Sequence, residues 1–251
     1  MQHKNRLIFF LATIVCVLTS CSTMANINID KSGTVEFSIE NNATSDLNSI
    51  AKNLFASNDE ETPLITEDVL MSFFSNCENP KISVNNLMDF KIENIKISEN
   101  DLQNLLGTYI TVKTVNQDNS KKDMPLKEIT LKADPQLFLA LAEENEDIQD
   151  IFEMLMVPIY TQEECSPEEY IEMLSSFYGK KIAEKFKESN FTIDITLPSA
   201  AKSYKITESE DAKYDLEATI STKSEKNKIL ITIPMYRFLC IDTETIFSIA
   251  Y

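Results

Sequence analysis

Histidine is nearly absent from this chain of 251 residues: its one copy is His3. That residue lies in a segment expected to be removed, so the mature protein would hold no imidazole. Ser-His-Asp and Cys-His nucleophile systems, His-ligated zinc and histidine acid/base relays are thereby excluded. Glycine is almost as scarce. Gly33, Gly107 and Gly179 are the only three, and they stand far apart. A phosphate-cradling loop or a dinucleotide-binding turn needs the backbone to approach phosphate at several neighbouring positions, which isolated glycines do not allow. No G-x-S-x-G nucleophile elbow occurs. Tryptophan is missing as well, which excludes little. Basic residues are the third shortage. Only 23 Lys and Arg face 40 Asp and Glu, a formal net charge of −17, and loss of Lys4 and Arg6 with the leader makes the balance more negative. Duplex nucleic acid is bound largely by releasing counterions to Lys and Arg, so no nucleic-acid partner is expected. Anionic surfaces are repelled only near contact, because the screening length is about 8 Å at physiological salt. The simplest role of the acidity is solubility.

What the sequence does contain begins with an address. Residues 1–6 (MQHKNR) are basic, and residues 7–18 (LIFFLATIVCVL) are an apolar run. As a helix rising about 1.5 Å per residue, that run is too short for the roughly 30 Å hydrocarbon core. A basic start and a short apolar run have the shape of a secretory signal. Leu18-Thr19-Ser20-Cys21 follows. This resembles a bacterial lipoprotein box, with Leu three positions before an obligatory Cys and small residues between. The resemblance implies a diacylglycerol thioether on Cys21, cleavage before it, and acylation of the amino group so freed. Cys16 suits the pattern less well, since Thr-Ile-Val precedes it inside the apolar run. An ordinary cleaved signal and an uncleaved anchor are the alternatives. The expected organisation is a lipoprotein signal peptide at 1–20, a lipidated tether at 21–24 and a single domain over 25–251. Two or three acyl chains, each CH₂ contributing about 0.8 kcal/mol, would hold the domain to a cell-envelope membrane, inner or outer.

Export sets the redox context. Beyond Cys16 and Cys21 the chain has Cys77, Cys165 and Cys240, odd in number and widely spaced, with no C-x-x-C. This is neither a zinc pattern nor a disulfide framework. At most one pair can bridge, spacing does not choose which, and three small buried apolar residues is the simpler reading.

Periodicity predicts an α+β fold: an antiparallel sheet opening with an N-terminal hairpin, and helices packed on one face. Residues 25–29 and 34–40 alternate around a turn at Gly33, putting Val35, Phe37 and Ile39 on one side. Helices are expected over 46–56 and after Thr66, with a short one from Ser98 carrying Leu102, Leu105 and Leu106. Another follows Asp134-Pro135 and is lined by Leu137, Leu141, Ile148, Ile151, Phe152 and Leu155. One more is expected to start at the capping box Ser166-Pro167-Glu168-Glu169. Its apolar face is Tyr170, Ile171, Leu174, Tyr178, Ile182 and Phe186, and its lysines crowd the far end. Strands are expected at 90–97, with imperfect alternation, and at 109–115, 126–131, 191–197, 214–220, 228–233 and 245–249. The polar stretch 116–123 reads as a loop.

Several motifs stand in a recognisable order: residues 27–37 (INIDKSGTVEF), 166–174 (SPEEYIEML), 177–180 (FYGK), 196–198 (TLP) and 231–239 (ITIPMYRFL). In that order they resemble a group of bacterial envelope lipoproteins, especially spirochaetal ones of unassigned function, over most of the mature chain. More distantly, the hairpin-first layout resembles the LppM-type envelope lipoproteins. That likeness implies a lipid-like or glycolipid ligand in a cleft between sheet and helix, and transfers no binding residue.

Three functional expectations result. A domain binding a lipid-like or apolar ligand would hold a pocket of at least about 300 Å³ lined by Phe, Met and Leu. A structural or protein-interaction lipoprotein would have a filled core and an exposed apolar patch or edge strand. A carboxylate enzyme would show a buried acidic pair with raised pKa in a cleft. The non-enzymatic readings are preferred: no catalytic residue, metal ligand or cofactor site is assigned. The acidic run 143–147 (EENED) lacks the spacing and glycine of an EF-hand and reads as a solvated helix face. Met154, Met156 and Met173 read as core filling. Replacement Cys21→Ala is expected to abolish incorporation of labelled palmitate and leave an unprocessed precursor, as read by gel autoradiography and intact mass.

Overall fold

The computed structural model describes residues 22–42, 67–68, 71, 80–85, 89–98, 109–115, 126–136, 139, 159, 161 and 163–251. Cys21, Cys77, the signal segment, the acidic run 143–147, Met154 and Met156 lie outside them. So do the helix expected over 46–56, all but Ser98 of the one expected from that residue, and most of those expected after Thr66 and Asp134; Ser98 ends a strand, while Glu67, Asp68, Met71, Pro135, Gln136 and Leu139 are described and helical.

Residues 22–42 form the expected hairpin, β1 (Ser22–Ile29) and β2 (Thr34–Asn42). The turn is made by Asp30, whose Oδ1 accepts the Ser32 and Thr34 N–H groups at 2.7 and 3.0 Å. Gly33 sits at φ 86°, a conformation open to glycine. Ala25, Ile27 and Ile29 on β1, and Val35, Phe37 and Ile39 on β2, are all buried. The strand starts earlier than expected. Residues 22–24, read from the sequence as tether, are paired with β2. Thr23 is 1% exposed and its hydroxyl donates to Asn41 Oδ1 at 2.8 Å. The inward alternation thus continues through two polar residues that satisfy each other, which hydrophobic patterning cannot register.

β3 (Lys81–Val84) and β4 (Phe90–Ser98) extend the sheet beyond β2. The imperfect alternation in β4 is a β-bulge. Phe37 is opposite Ile95 and Ile39 opposite Ile92, so Glu93 and Asn94 together face Ser38. Asn94 takes the left-handed conformation, φ 62°, and Ile92 and Ile95 both stay buried.

The helix expected from Ser166 is two helices, α1 (Pro167–Tyr178) and α2 (Lys180–Glu188). Gly179, at φ 89° and ψ 156°, breaks it. The capping box is present: Ser166 Oγ accepts Glu169 N–H at 3.2 Å and Glu169 Oε2 accepts Ser166 N–H at 2.8 Å. The last turn of α1 carries no base, whereas Lys185 and Lys187 end α2 and suit its dipole. Tyr170, Leu174, Ala183 and Phe186 are buried, and Met173 packs against the core as expected.

The C-terminal part supplies β7 (Asn190–Thr196), β8 (Ser203–Glu208), β9 (Thr219–Thr222), β10 (Lys228–Pro234), the short α3 (Met235–Phe238) and β11 (Thr245–Ala250). With β5 (Ile110–Val115) and β6 (Leu126–Ala133) they form two sheets where one was expected. Their orders are β3-β4-β2-β1-β7-β10-β9 and β5-β6-β11-β8. All pairs are antiparallel except β1 with β7, which is parallel. The strand expected at 214–220 shrinks to β9. Asp215 Oδ1 accepts Glu217 N–H at 2.7 Å and Glu217 takes φ 51°, so this stretch turns instead. β8 escapes the sequence because it is a largely exposed edge strand with no alternating row of buried residues: of Tyr204, Ile206 and Thr207 only Ile206 is partly buried.

The inward faces of both sheets and the apolar faces of α1, α2 and α3 share one core. Phe238 of α3 stacks on Phe191 of β7, ring centroids 5.4 Å apart, so α3 lies on the buried face of the larger sheet. The fold is α+β.

A Cβ on Gly179 would meet nothing within 4 Å, so the position demands glycine for its backbone alone. The Gly179→Ala chain is expected to lose roughly 1–3 kcal/mol of stability, read by urea denaturation.

Candidate functional site

Three segments converge where α1 begins. Arg237, on α3, is the centre of a charged cluster. Its guanidinium pairs with Glu217 at 2.7 Å and Glu168 at 3.4 Å, donates to the Asp215 carbonyl at 2.9 Å, and lies over the Tyr236 ring, 5.4 Å from the centroid. α3, the 209–218 turn and the first turn of α1 are thereby joined. Lys213 adds a second link: its N–H donates to Asp242 Oδ2 at 2.9 Å and its ammonium pairs with Glu164 at 3.0 Å. Glu169, accepting both the N–H and the hydroxyl of Ser166, is held below the usual carboxylate range.

Beside this framework opens a cleft of about 410 Å³. Leu139, Ile159, Ile241, Cys165 and Cys240 give it apolar surface, with Tyr214 at its wall. Glu163, Glu164, Lys213 and Asp242 supply charge, three carboxylates against one ammonium. The volume meets that expected of a ligand-binding domain. The lining differs: among the described residues it has one leucine and neither Phe nor Met.

Cys165 and Cys240, which spacing could not relate, both line this cleft and are free thiols. Cys240 is buried, as expected, but Cys165 is partly exposed. Burial pushes both thiols above their ordinary pKa, with Glu169 adding to the shift at Cys165.

A carboxylate pair lies close by. Burial pushes the Glu208 carboxyl up, and the neighbouring carboxylates of Asp215 and Asp242 add to the shift, despite the Leu216 N–H that it accepts at 3.2 Å. Glu208 and Asp215 are not among the residues lining the cleft, so the pair does not meet the geometry expected of a cleft dyad. Among the described residues, no group of three or more His, Cys, Asp or Glu is placed to hold a metal ion. No helix of the described residues is long and apolar enough to cross a membrane. Lys213 and Asp242 gave no signal in the sequence, since they sit in aperiodic connections, and Arg237 lay in the motif 231–239 without being marked as a centre of charge.

No family model matches the chain, and neither a curated protein nor a solved structure matches it.

A raised folded-state pKa means that the fold favours protonated Glu208. Its contribution to stability is full below the ordinary carboxylate pKa and is lost as pH rises through the raised value. Glu208→Gln is therefore expected to melt higher than the parent at pH 7 and no higher at pH 4, measured by thermal unfolding across pH.

Proposed function

We propose that the chain is an envelope lipoprotein, acylated at Cys21, whose folded domain works by binding and not by catalysis. It takes a small amphiphile, a lipid-like molecule with an apolar body and a neutral or cationic head, into the cleft at the start of α1. The cleft carries this reading. Its apolar surface suits a hydrocarbon body, and its volume falls in the range of small-ligand sites. The Lys213 ammonium is already paired with Glu164, so Glu163 and Asp242 leave the site negative and unsuited to an anionic head. The resemblance to envelope lipoproteins and the signal segment support the anchor.

The ligand test uses the domain from residue 22 onward with two probes of equal chain length and opposite charge, dodecylamine and dodecanoate, in titration calorimetry at pH 7. The amine is expected to bind about tenfold tighter or more, a difference of roughly 1.4 kcal/mol, and Asp242→Asn to narrow the gap. Equal affinity would remove the electrostatic part of the proposal. Failure of both probes would favour the second reading, an interaction lipoprotein. One observation supports that alternative: Phe177, 75% exposed at the corner between α1 and α2.

A further inference from the structure

Cys165 and Cys240 are distant in sequence and line the same cleft. Cys165 precedes the N-cap Ser166 of α1, and Cys240 follows the C-cap Leu239 of α3. The Arg237–Glu168 ion pair holds these two segments together. Glu168 lies shortly after Cys165 in the chain and Arg237 shortly before Cys240, so the pair registers one cysteine against the other. Backbone bonds fix the second of them: Cys240 N–H donates to the Arg237 carbonyl at 3.1 Å, and Leu239 N–H to that of Met235 at 3.0 Å. The Cys165 thiol is committed only to a weak bond, donated to the Ser166 carbonyl at 3.6 Å. The buried Tyr170 ring and each thiol lie within electrostatic reach of one another.

We infer that Cys165 and Cys240 are a disulfide-forming pair, open in this structure and closed by exchange with a disulfide-bearing oxidant. The inference goes beyond the binding role and does not depend on what the cleft holds. Cys165, the more exposed, loses its proton and attacks a sulfur of the oxidant, forming a mixed disulfide and releasing one thiol. Cys240 then gives up its proton and attacks the Cys165 sulfur, releasing the second thiol. Two protein S–H bonds and one oxidant S–S bond become one protein S–S bond and two oxidant S–H bonds. The protein loses two electrons and the oxidant gains them. Because burial keeps both thiols protonated at neutral pH, the pair suits a bridge made once and kept, not a fast redox catalyst. Closure would join the start of α1 covalently to the connection between α3 and β11.

The test uses the full-length chain, purified with reductant, exchanged into oxidised glutathione at pH 8, then alkylated, digested and mapped by mass spectrometry. The expected result is one cross-linked peptide pair through Cys165 and Cys240, two hydrogens lighter than its separate peptides and split by dithiothreitol, with Cys16, Cys21 and Cys77 outside the bridge. Closure is expected to speed up about tenfold per pH unit between pH 7 and 8, following the thiolate fraction. Cys165→Ser is expected to abolish the cross-link while melting cooperatively, which separates loss of the bridge from loss of the fold. A bridge that includes Cys77, a glutathione adduct at Cys165 that never resolves, or alkylation of both cysteines without a link would overturn the inference.

Discussion

The parallel pairing of β1 with β7 joins the two halves of the molecule. β1 and β2 make a hairpin by local geometry, and β7 and β10 form an antiparallel pair of their own. Among the described strands, the β1–β7 ladder is what makes one sheet of them. Its register sets Ala25 opposite Ile193 and Ile27 opposite Ile195, so the apolar rows of both halves continue one another on the same face. A one-residue slip would turn every inward side chain of one half outward. The inward Thr23–Asn41 pair helps to hold the register of the neighbouring ladder, since its hydrogen bond is satisfied only when β1 and β2 are aligned as they are. Such a joint needs partners from opposite ends of the chain, a pairing that is slow to find because its loop-closure entropy comes first.

The cleft depends on this core at one remove. β7 begins directly after α2, and the Met235 N–H donates to the Ser189 carbonyl, so α3 is pinned where β7 and β10 meet. From there Arg237 reaches α1 and the 209–218 turn at once. An arginine suits this place because its planar fork serves several acceptors in fixed directions, which an ammonium cannot do. The surrounding carboxylates need it: a strongly acidic chain that folds its turns together accumulates negative charge, and one half-buried guanidinium offsets that of two segments.

Much of the fold was legible in the sequence because it was written in alternation and caps. The hairpin, β4 through β7, β10 and β11 follow period-two patterns, and the capping box at Ser166 is where a helix begins. The misses have separate physical causes. The break at Gly179 lies inside an unbroken apolar stripe, and only the glycine's backbone angles reveal it. The start of β1 is hidden because its inward residue is polar and paired. The split into two sheets and the parallel joint are tertiary choices that no local pattern encodes. The cleft was least legible of all. Its volume matched an expectation drawn from a resemblance, but its cysteines, Lys213 and Asp242 come from connections without periodicity, brought together only by the fold.

The position of β1 also has a mechanical consequence. It is an interior strand, bonded on both sides from its first residue, Ser22. A pull on the chain from its N-terminal side runs along the strand axis. It loads the β2 and β7 ladders together in shear, so that many hydrogen bonds must fail at once and not one after another as in unzipping. With acyl chains on the neighbouring Cys21, as proposed, drag on the domain would pass straight into this strand with no slack to absorb it. The molecule would be gripped at one of its strongest points.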